Sequence, residues 1–347
     1  MPVKTITPAP RDAWNELVCA DRDVLVTQTP AWTDCLCSVT GARDVSRLYD
    51  FGDGRRLVLP LVRPARRPAR IAAEASFPNA WGFGGLVGPD ARVDEIQAIL
   101  GDLRASGAAS VRVRPNPLHH ERWSAARPDG VLTVQRRAHA IDLSGGFDEV
   151  WSRGFSSRAR NHVRRAERSG VTVELDTDGR LVGAFHDLFL RSVERWASRQ
   201  HEPRALALWR ARRRDSLEKM QRLLADLGGA SRLWMASVDG RPAAGILVLQ
   251  GTNAHYTRGV MDVELAGPRR ANYLLHRFAI EDACRAGCRT YHMGETGGSR
   301  SLAQFKEALG AHAHEYSEYV SEALPFTSID RGLRTAAKRI LRFRDHD

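Results

Sequence analysis

Two tandem α/β (α+β) units, each a mixed and largely antiparallel sheet flanked by helices, are the fold class that this 347-residue sequence predicts. Three observations predict it. The length exceeds one ordinary domain and allows two separate cores. Apolar residues switch repeatedly between strand alternation and helical spacing. Landmarks also recur in order, each pair ~180 residues apart. Asp53-Gly54 and Asp239-Gly240 turn between strands, Gly88-Pro89 and Gly267-Pro268 precede a helix, and Gly107 and Gly287 end it. The recurrence reads as a duplicated unit. Residues 1–144 form the first unit, 145–325 the second, and 326–347 a basic C-terminal helix.

In chain order the first half opens with helices over 12–20 and 30–39 and a hairpin, Ser46–Phe51 with Arg56–Val62. Prolines keep the basic loop Arg63–Arg70 irregular. A strand at Ile71–Phe77 leads to the glycine-rich loop Asn79–Pro89, where missing side chains let a ligand approach the backbone. Trp81 and Phe83 in that loop are candidates for an acceptor wall. An amphipathic helix over 92–106 and strands at Ser110–Arg114, Val131–Gln135 and Ala138–Leu143 complete the half.

The second half begins with a helix whose apolar face is Phe155, Ala159, Val163 and Ala166. Its other side carries Arg160, Arg164 and Arg168 at successive turns. Like charges so spaced repel by a few tenths of a kcal/mol per pair. The row therefore reads as an anion site or as a solvated face. A strand at Val171–Asp176, helices at Val182–Arg199 and Arg204–Leu227, and strands at Arg232–Val238, Ala243–Gln250 and Ala254–Val260 follow. Gly267–Asn272 is a loop opening the helix Tyr273–Ala286. Free N–H groups at such a loop attract anions, so Arg269, Arg270 and Asn272 are candidate phosphate ligands.

The stretch Tyr291–Gly310 gathers most of the chemistry. It reads as a short strand, a polar glycine loop at 294–299, and a helix with Ser301 and Gln304 as a capping box. Leu302, Phe305 and Leu309 face inward. Lys306 falls at the edge of that face, where it can bury its stem and aim its ammonium at the loop. Only four lysines occur in the chain. A last strand is expected at Glu315–Val320, before the basic amphipathic tail, which docks on the body or touches a membrane.

Composition bounds the partners. A net charge of +11 favours phosphate-bearing partners, although an arginine-rich chain also follows from a GC-rich genome. No apolar run approaches the roughly 20 residues of a membrane span. The N-terminus has no apolar leader segment, so a cytoplasmic location is expected. Five cysteines without a second pair at zinc-ribbon spacing predict free thiols and no metal site.

Residues 157–170, 254–260, 267–287 and 291–310, with Gln304-Phe305-Lys306, resemble acyltransferases of the GNAT superfamily. They are most similar to the tandem branch of Fem-type peptidyltransferases and their bacterial acetyltransferase-like relatives. The first half resembles them only through the Trp81–Gly88 loop. The resemblance implies amide formation on an amine, with no tightly bound cofactor and with aminoacyl-tRNA or acyl-CoA as co-substrate. It assigns Lys306, the lysine after phenylalanine, to stabilising the reaction centre. The family's coenzyme A loop has two glycines, which Arg269-Arg270-Ala271-Asn272 lacks, and this favours tRNA.

Amide formation needs a close neutral amine, a donor to the developing oxyanion and an acceptor for the amine's proton. Lys306 is the candidate for the oxyanion or the donor's phosphate. Glu295 would hold or deprotonate the amine, or be a plain loop carboxylate. Tyr256 and Phe305 would line the acyl site, or Tyr256 would be a core strand residue. The expected acceptor is a cell-wall precursor or small metabolite. The alternatives are an acyl-CoA-dependent N-acetyltransferase of polysaccharide or secondary metabolism, and a non-catalytic RNA- or membrane-binding protein.

Overall fold

The computed structural model describes residues 3–52, 54–65, 71–76 and 82–323. Trp81, Asp53 and the expected helix at 326–347 lie outside the described residues. The chain divides into two compact units, residues up to 138 with 314–323, and residues 139–313.

The first unit contains β1 (Lys4–Ile6), α1 (Arg11–Ala20), α2 (Pro30–Thr40), β2 (Ala42–Asp44), β3 (Arg47–Asp50), β4 (Arg56–Leu59), β5 (Val62–Pro64), β6 (Ala73–Ala75), α3 (Val93–Ala105), β7 (Ser110–Val113) and α4 (His120–Ala125). β8 (Leu132–Asp142) carries the chain into the second unit. That unit holds α5 (Gly146–Glu149), α6 (Ser157–Arg168), β9 (Thr172–Asp176), α7 (Val182–Gln200), α8 (Arg204–Arg214), α9 (Leu217–Leu227), β10 (Ser231–Val238), β11 (Arg241–Gln250) and β12 (Ala254–Met261). It continues with α10 (Val263–Arg269), α11 (Ala271–Arg285), β13 (Thr290–Glu295), α12 (Arg300–Ala308) and the start of β14 (His312–Glu322).

The duplicated pattern is present in both units. In the first, β5 and β6 are antiparallel and β6 and β7 parallel, with α3 as the crossover. In the second, β11 and β12 are antiparallel and β12 and β13 parallel, with α11 as the crossover. A crossover helix is needed because parallel strands cannot be joined by a tight turn. The first unit's hairpin is divided between two sheets. β3 and β4 pair beside β1, while β2 pairs with β5. Pro60, which has no N–H to donate, falls at the break.

Each crossover helix lies over its own core. Ile96, Ile99, Leu100 and Leu103 of α3 pack with Leu57, Leu59, Val111, Val113 and Trp123. Leu274, Leu275, Ala279, Ile280 and Ala283 of α11 pack with Ala159, Val163 and Ala166 of α6 and with strand residues Ile246 and Val248.

Several elements differ from expectation. Val131–Gln135 and Ala138–Leu143 are one strand, β8, because Arg136 and Arg137 are neutralised by Glu318 and Glu315 of β14. The last strand extends the first unit instead of the second, through a ladder from Tyr319–Val113 to Glu322–Ser110. The helix expected over 204–227 breaks into α8 and α9. At the break the Asp215 carboxylate is buried against Arg258 at 2.7 Å, and the Ser216 side chain accepts from Lys219 N–H to start α9. The loop expected at 267–272 is mostly helical. Asp262 caps α10 by accepting from Glu264 and Leu265 N–H, and Gly267 and Pro268 lie inside that helix. Arg270, at φ 60°, turns the chain into α11. Ser299, not Ser301, caps α12, accepting from Leu302 N–H. Among the described residues, no helix is long and apolar enough to cross a membrane.

Candidate active site

A cavity of about 630 Å³ opens in the second unit between the end of α7, β12, and the starts of α10, α11 and α12. β12 contributes Tyr256, Gly259, Val260 and Met261. Its ladder to β11 slips so that Tyr256 opposes Val248 while Arg258 opposes Leu247. The extra residue, Thr257, donates its hydroxyl to Leu247 O at 3.1 Å. Such bulges re-aim neighbouring side chains. The Tyr256 hydroxyl lies over Gly259, where a Cβ would sit only 2.0 Å from it. Only glycine leaves that hydroxyl its place.

Aromatic rings and one imidazole form the inner wall. His276, on the inward face of α11, is 1 % exposed. Tyr256 and Phe305 meet its ring edge to face, with centroids 4.7 and 5.5 Å away. Its Nδ1 lies 3.2 Å from the Tyr291 hydroxyl. Burial, reinforced by the Lys306 charge, pushes the His276 pKa down to about 3, so the ring is neutral. Burial pushes the Tyr256 phenol up to about 12, so it keeps its proton.

Lys306 stands behind this wall and is only 1 % exposed. Its ammonium donates to Gly294 O and Glu295 O, both at 2.9 Å, and so ties the end of β13 to α12. Burial lowers its pKa to about 7, against a smaller opposite pull from Glu295. The sequence pattern put it at the edge of the helix's buried face. In the fold it is the buried residue, and Leu302 is 37 % exposed at the cavity mouth.

The rim is cationic. Arg195, Arg199 and Arg270 line it beside Trp196, Tyr273 and Asn272. The Arg195 guanidinium donates to Met261 O at 2.8 Å. Its pKa is lowered by burial and then by Arg199. The pKa of His162, whose ring lies tilted against Tyr273 with centroids 4.7 Å apart, is lowered by burial and then by Arg270, Arg158 and Arg165. No carboxylate is among the cavity's described lining residues. Among the described residues, no group of three or more His, Cys, Asp or Glu could hold a metal ion.

The fold brings together four of the residues singled out from sequence: Arg270, Asn272, Tyr256 and Phe305. Others stand elsewhere. Arg269 pairs with Asp239 at 3.2 Å. Arg160 donates to the carbonyls of Trp151, Ser152 and Phe155, so it closes the turn before α6 instead of awaiting an anion. Arg164 is exposed and does not line the cavity, and neither does Glu295, whose carbonyl holds Lys306. Phe83 is a core residue of the first unit, 1 % exposed and edge to face with Tyr316, not an acceptor wall.

Sequence reasoning missed Arg195, Trp196, Arg199, Tyr273 and His276. The first three sit in the last turns of α7, which sequence marks only as a helix end. Tyr273 and His276 are one turn apart on a predicted helix, and a polar residue beside the apolar Leu274-Leu275 pair was the available signal.

The Acetyltransferase (GNAT) domain family matches residues 153–307. No curated protein matches the chain at a significant level. Among solved structures, FemX superposes with a TM-score of 0.67 at 14 % identity, covering 92 % of this chain and 97 % of FemX. The C-terminal domain of a protein assigned as a lysylphosphatidylglycerol synthetase from Agrobacterium fabrum gives 0.51 at 14 % identity, covering 93 % and 96 %. A conserved protein of unknown function from Bacteroides thetaiotaomicron gives 0.52 at 11 %, covering 92 % and 98 %. These likenesses are likenesses of fold.

Proposed function

We propose that the chain, whose residues 153–307 match the Acetyltransferase (GNAT) domain family, is an acyltransferase of that superfamily that moves an aminoacyl group from tRNA to an amine. The product is an amide, and the acceptor is an amine-bearing cell-wall precursor or small metabolite. One observation supports the donor. The stretch after β12, where backbone N–H groups would cradle a pyrophosphate, is the helix α10, whose first N–H groups are taken by Asp262. Phosphate recognition then falls on Arg195, Arg199 and Arg270, with Asn272 beside them.

The same arginines serve the acceptor. A cationic rim disfavours an ammonium ion, so the amine enters neutral. Its nitrogen forms a bond to the acyl carbon, and the carbonyl electron pair moves onto oxygen. Collapse of this intermediate breaks the bond to the ribose oxygen of the tRNA. That oxygen takes a proton from the Tyr256 hydroxyl, and the amine's proton restores the phenol. Lys306 fixes the loop that starts α12 and so positions Phe305.

A second reading, transfer from acyl-CoA, is favoured by the matched family's description as an acetyltransferase domain. Incubating the protein with aminoacyl-tRNA or with acetyl-CoA, each at two salt concentrations, separates the two. The proposal expects salt-sensitive binding that requires the aminoacyl group, and aminoacyl transfer to an amine. Saturable coenzyme A binding with acetyl transfer, and no discrimination between charged and uncharged tRNA, would reject it.

A further inference from the structure

We infer that His276, protonated on Nε2, is a catalytic residue that donates a hydrogen bond to the acyl carbonyl oxygen as charge develops there. The inference rests on the acyl-transfer reading but not on which donor is used. Its ground is the arrangement of groups around one ring. Tyr291 is fully buried, and His276 Nδ1, at 3.2 Å, is the hydrogen-bond partner of its hydroxyl. A buried phenol with one acceptor in reach donates to it, because leaving that proton without a partner costs about 1–3 kcal/mol. Nδ1 is therefore the acceptor. In a neutral imidazole the proton then resides on Nε2.

The other groups packed against the ring support this state. From β12 comes the Tyr256 phenol, from β13 Tyr291, and from α12 Phe305 and Lys306. Among the described residues no carboxylate faces the ring to hold an imidazolium, and the Lys306 charge opposes one. Tyr256 and Phe305 clamp the ring edge to face, and with Nδ1 taken by Tyr291, Nε2 is the ring nitrogen remaining to serve the cavity that His276 lines. A fixed donor in a water-poor wall stabilises an oxyanion without reorganising. As the amine's N–C bond forms, the carbonyl oxygen receives the electron pair and accepts from Nε2–H. The proton stays on His276, and the bond strengthens only in that state. The family resemblance makes Lys306 the candidate for this duty or for the donor's phosphate, but its ammonium is committed to two main-chain carbonyls.

Two measurements on the full chain test the inference. Imidazole ¹⁵N spectra at pH 7 should show His276 neutral and protonated on Nε2, with the Tyr291→Phe variant redistributing the tautomers. In transfer assays with whichever donor is active, His276→Ala should lower kcat by about 100-fold while KM stays within about threefold. His276→Gln, whose amide nitrogen can take the place of Nε2, should recover to within about tenfold of wild type. A proton on Nδ1, a charged ring at pH 7, unchanged kcat in His276→Ala, or equal loss in both variants would each overturn it. Absence of transfer from both donors would reject the acyl-transfer reading and with it the catalytic role of His276, whereas a wrong tautomer with transfer intact would reject the role alone.

Discussion

The two crossover helices have the same topology and opposite contents. Beneath α3, Ile96, Ile99, Leu100 and Leu103 fill the space with aliphatic side chains. Beneath α11, beside its own aliphatic residues, His276 meets Tyr256 and Tyr291 with the Lys306 charge nearby, and Tyr256 and His276 line a cavity. Buried charge differs as well. In the first unit, Glu95 is met by Arg55 and Arg92, Glu74 by Arg47 and Arg63, and Glu318 by Arg114 and Arg136. In the second, Asp215 is met by Arg258, but Lys306 is held by carbonyls and the neutral His276 by a phenol. Both units hold titratable groups at perturbed pKa, but the second gathers His276, Tyr256 and Lys306 at one cavity wall.

The largest expected effect concerns what an ion pair leaves behind when broken. Asp215 is 0 % exposed at its side chain and its partner Arg258 9 %. Asp215→Ala should cost about 3–5 kcal/mol in a denaturant titration, because Arg258 stays buried without its carboxylate. Glu95→Ala in the first unit should cost only about 1–2 kcal/mol, since Arg55 and Arg92 reach water and mainly the cap of α3 is lost. Equal losses would show that the contrast in burial does not govern stability.

Next comes the contrast in chemistry. Tyr256→Phe should lower kcat by about 100-fold with the fold intact. Ile96→Val beneath α3 should cost about 1 kcal/mol of stability and leave transfer per folded molecule unchanged. A fully active Tyr256→Phe would remove the phenol from the mechanism.

Lys306 sharpens the comparison through pH. Its folded pKa, about 7, lies below its unfolded value, so the unfolded chain holds the extra proton between about 7 and 10.5. Stability from this group therefore rises with pH across that window, by at most about 1.4 kcal/mol per unit. The stability gap between wild type and Lys306→Met should widen from pH 6 to pH 9. A gap independent of pH would contradict a lysine buried in this way. The smallest effect is expected at the rim. The double substitution Arg199→Ala with Arg270→Ala should raise the donor KM about tenfold and flatten its salt dependence, with kcat little changed.

Much of the fold was legible because local chemistry and the tertiary outcome agree there. The Asp239-Gly240 turn, the strands from β9 to β13 and the boundaries of α3 follow from residues whose preferences the fold does not override. Legibility failed where a distant partner decides. Arg136 and Arg137 interrupt a strand pattern until Glu318 and Glu315 neutralise them. Asp215 looks like a surface residue within a long helix until Arg258 claims it. Gly267-Pro268 looks like a loop until Asp262 caps the turn before it.

The sequence by itself determined the duplicated order of elements, the cationic character and the stretch holding Tyr256, Arg270, Asn272 and Phe305, because spacing and turn chemistry are local. Only the tertiary structure decided which of these residues meet in one cavity. It turned Lys306 inward to cap carbonyls, used Arg160 to close a turn, buried Phe83 in a core, and brought His276 between Tyr256 and Tyr291. Those outcomes depend on contacts between segments remote in the chain, and on the cost of leaving a buried polar group without a partner.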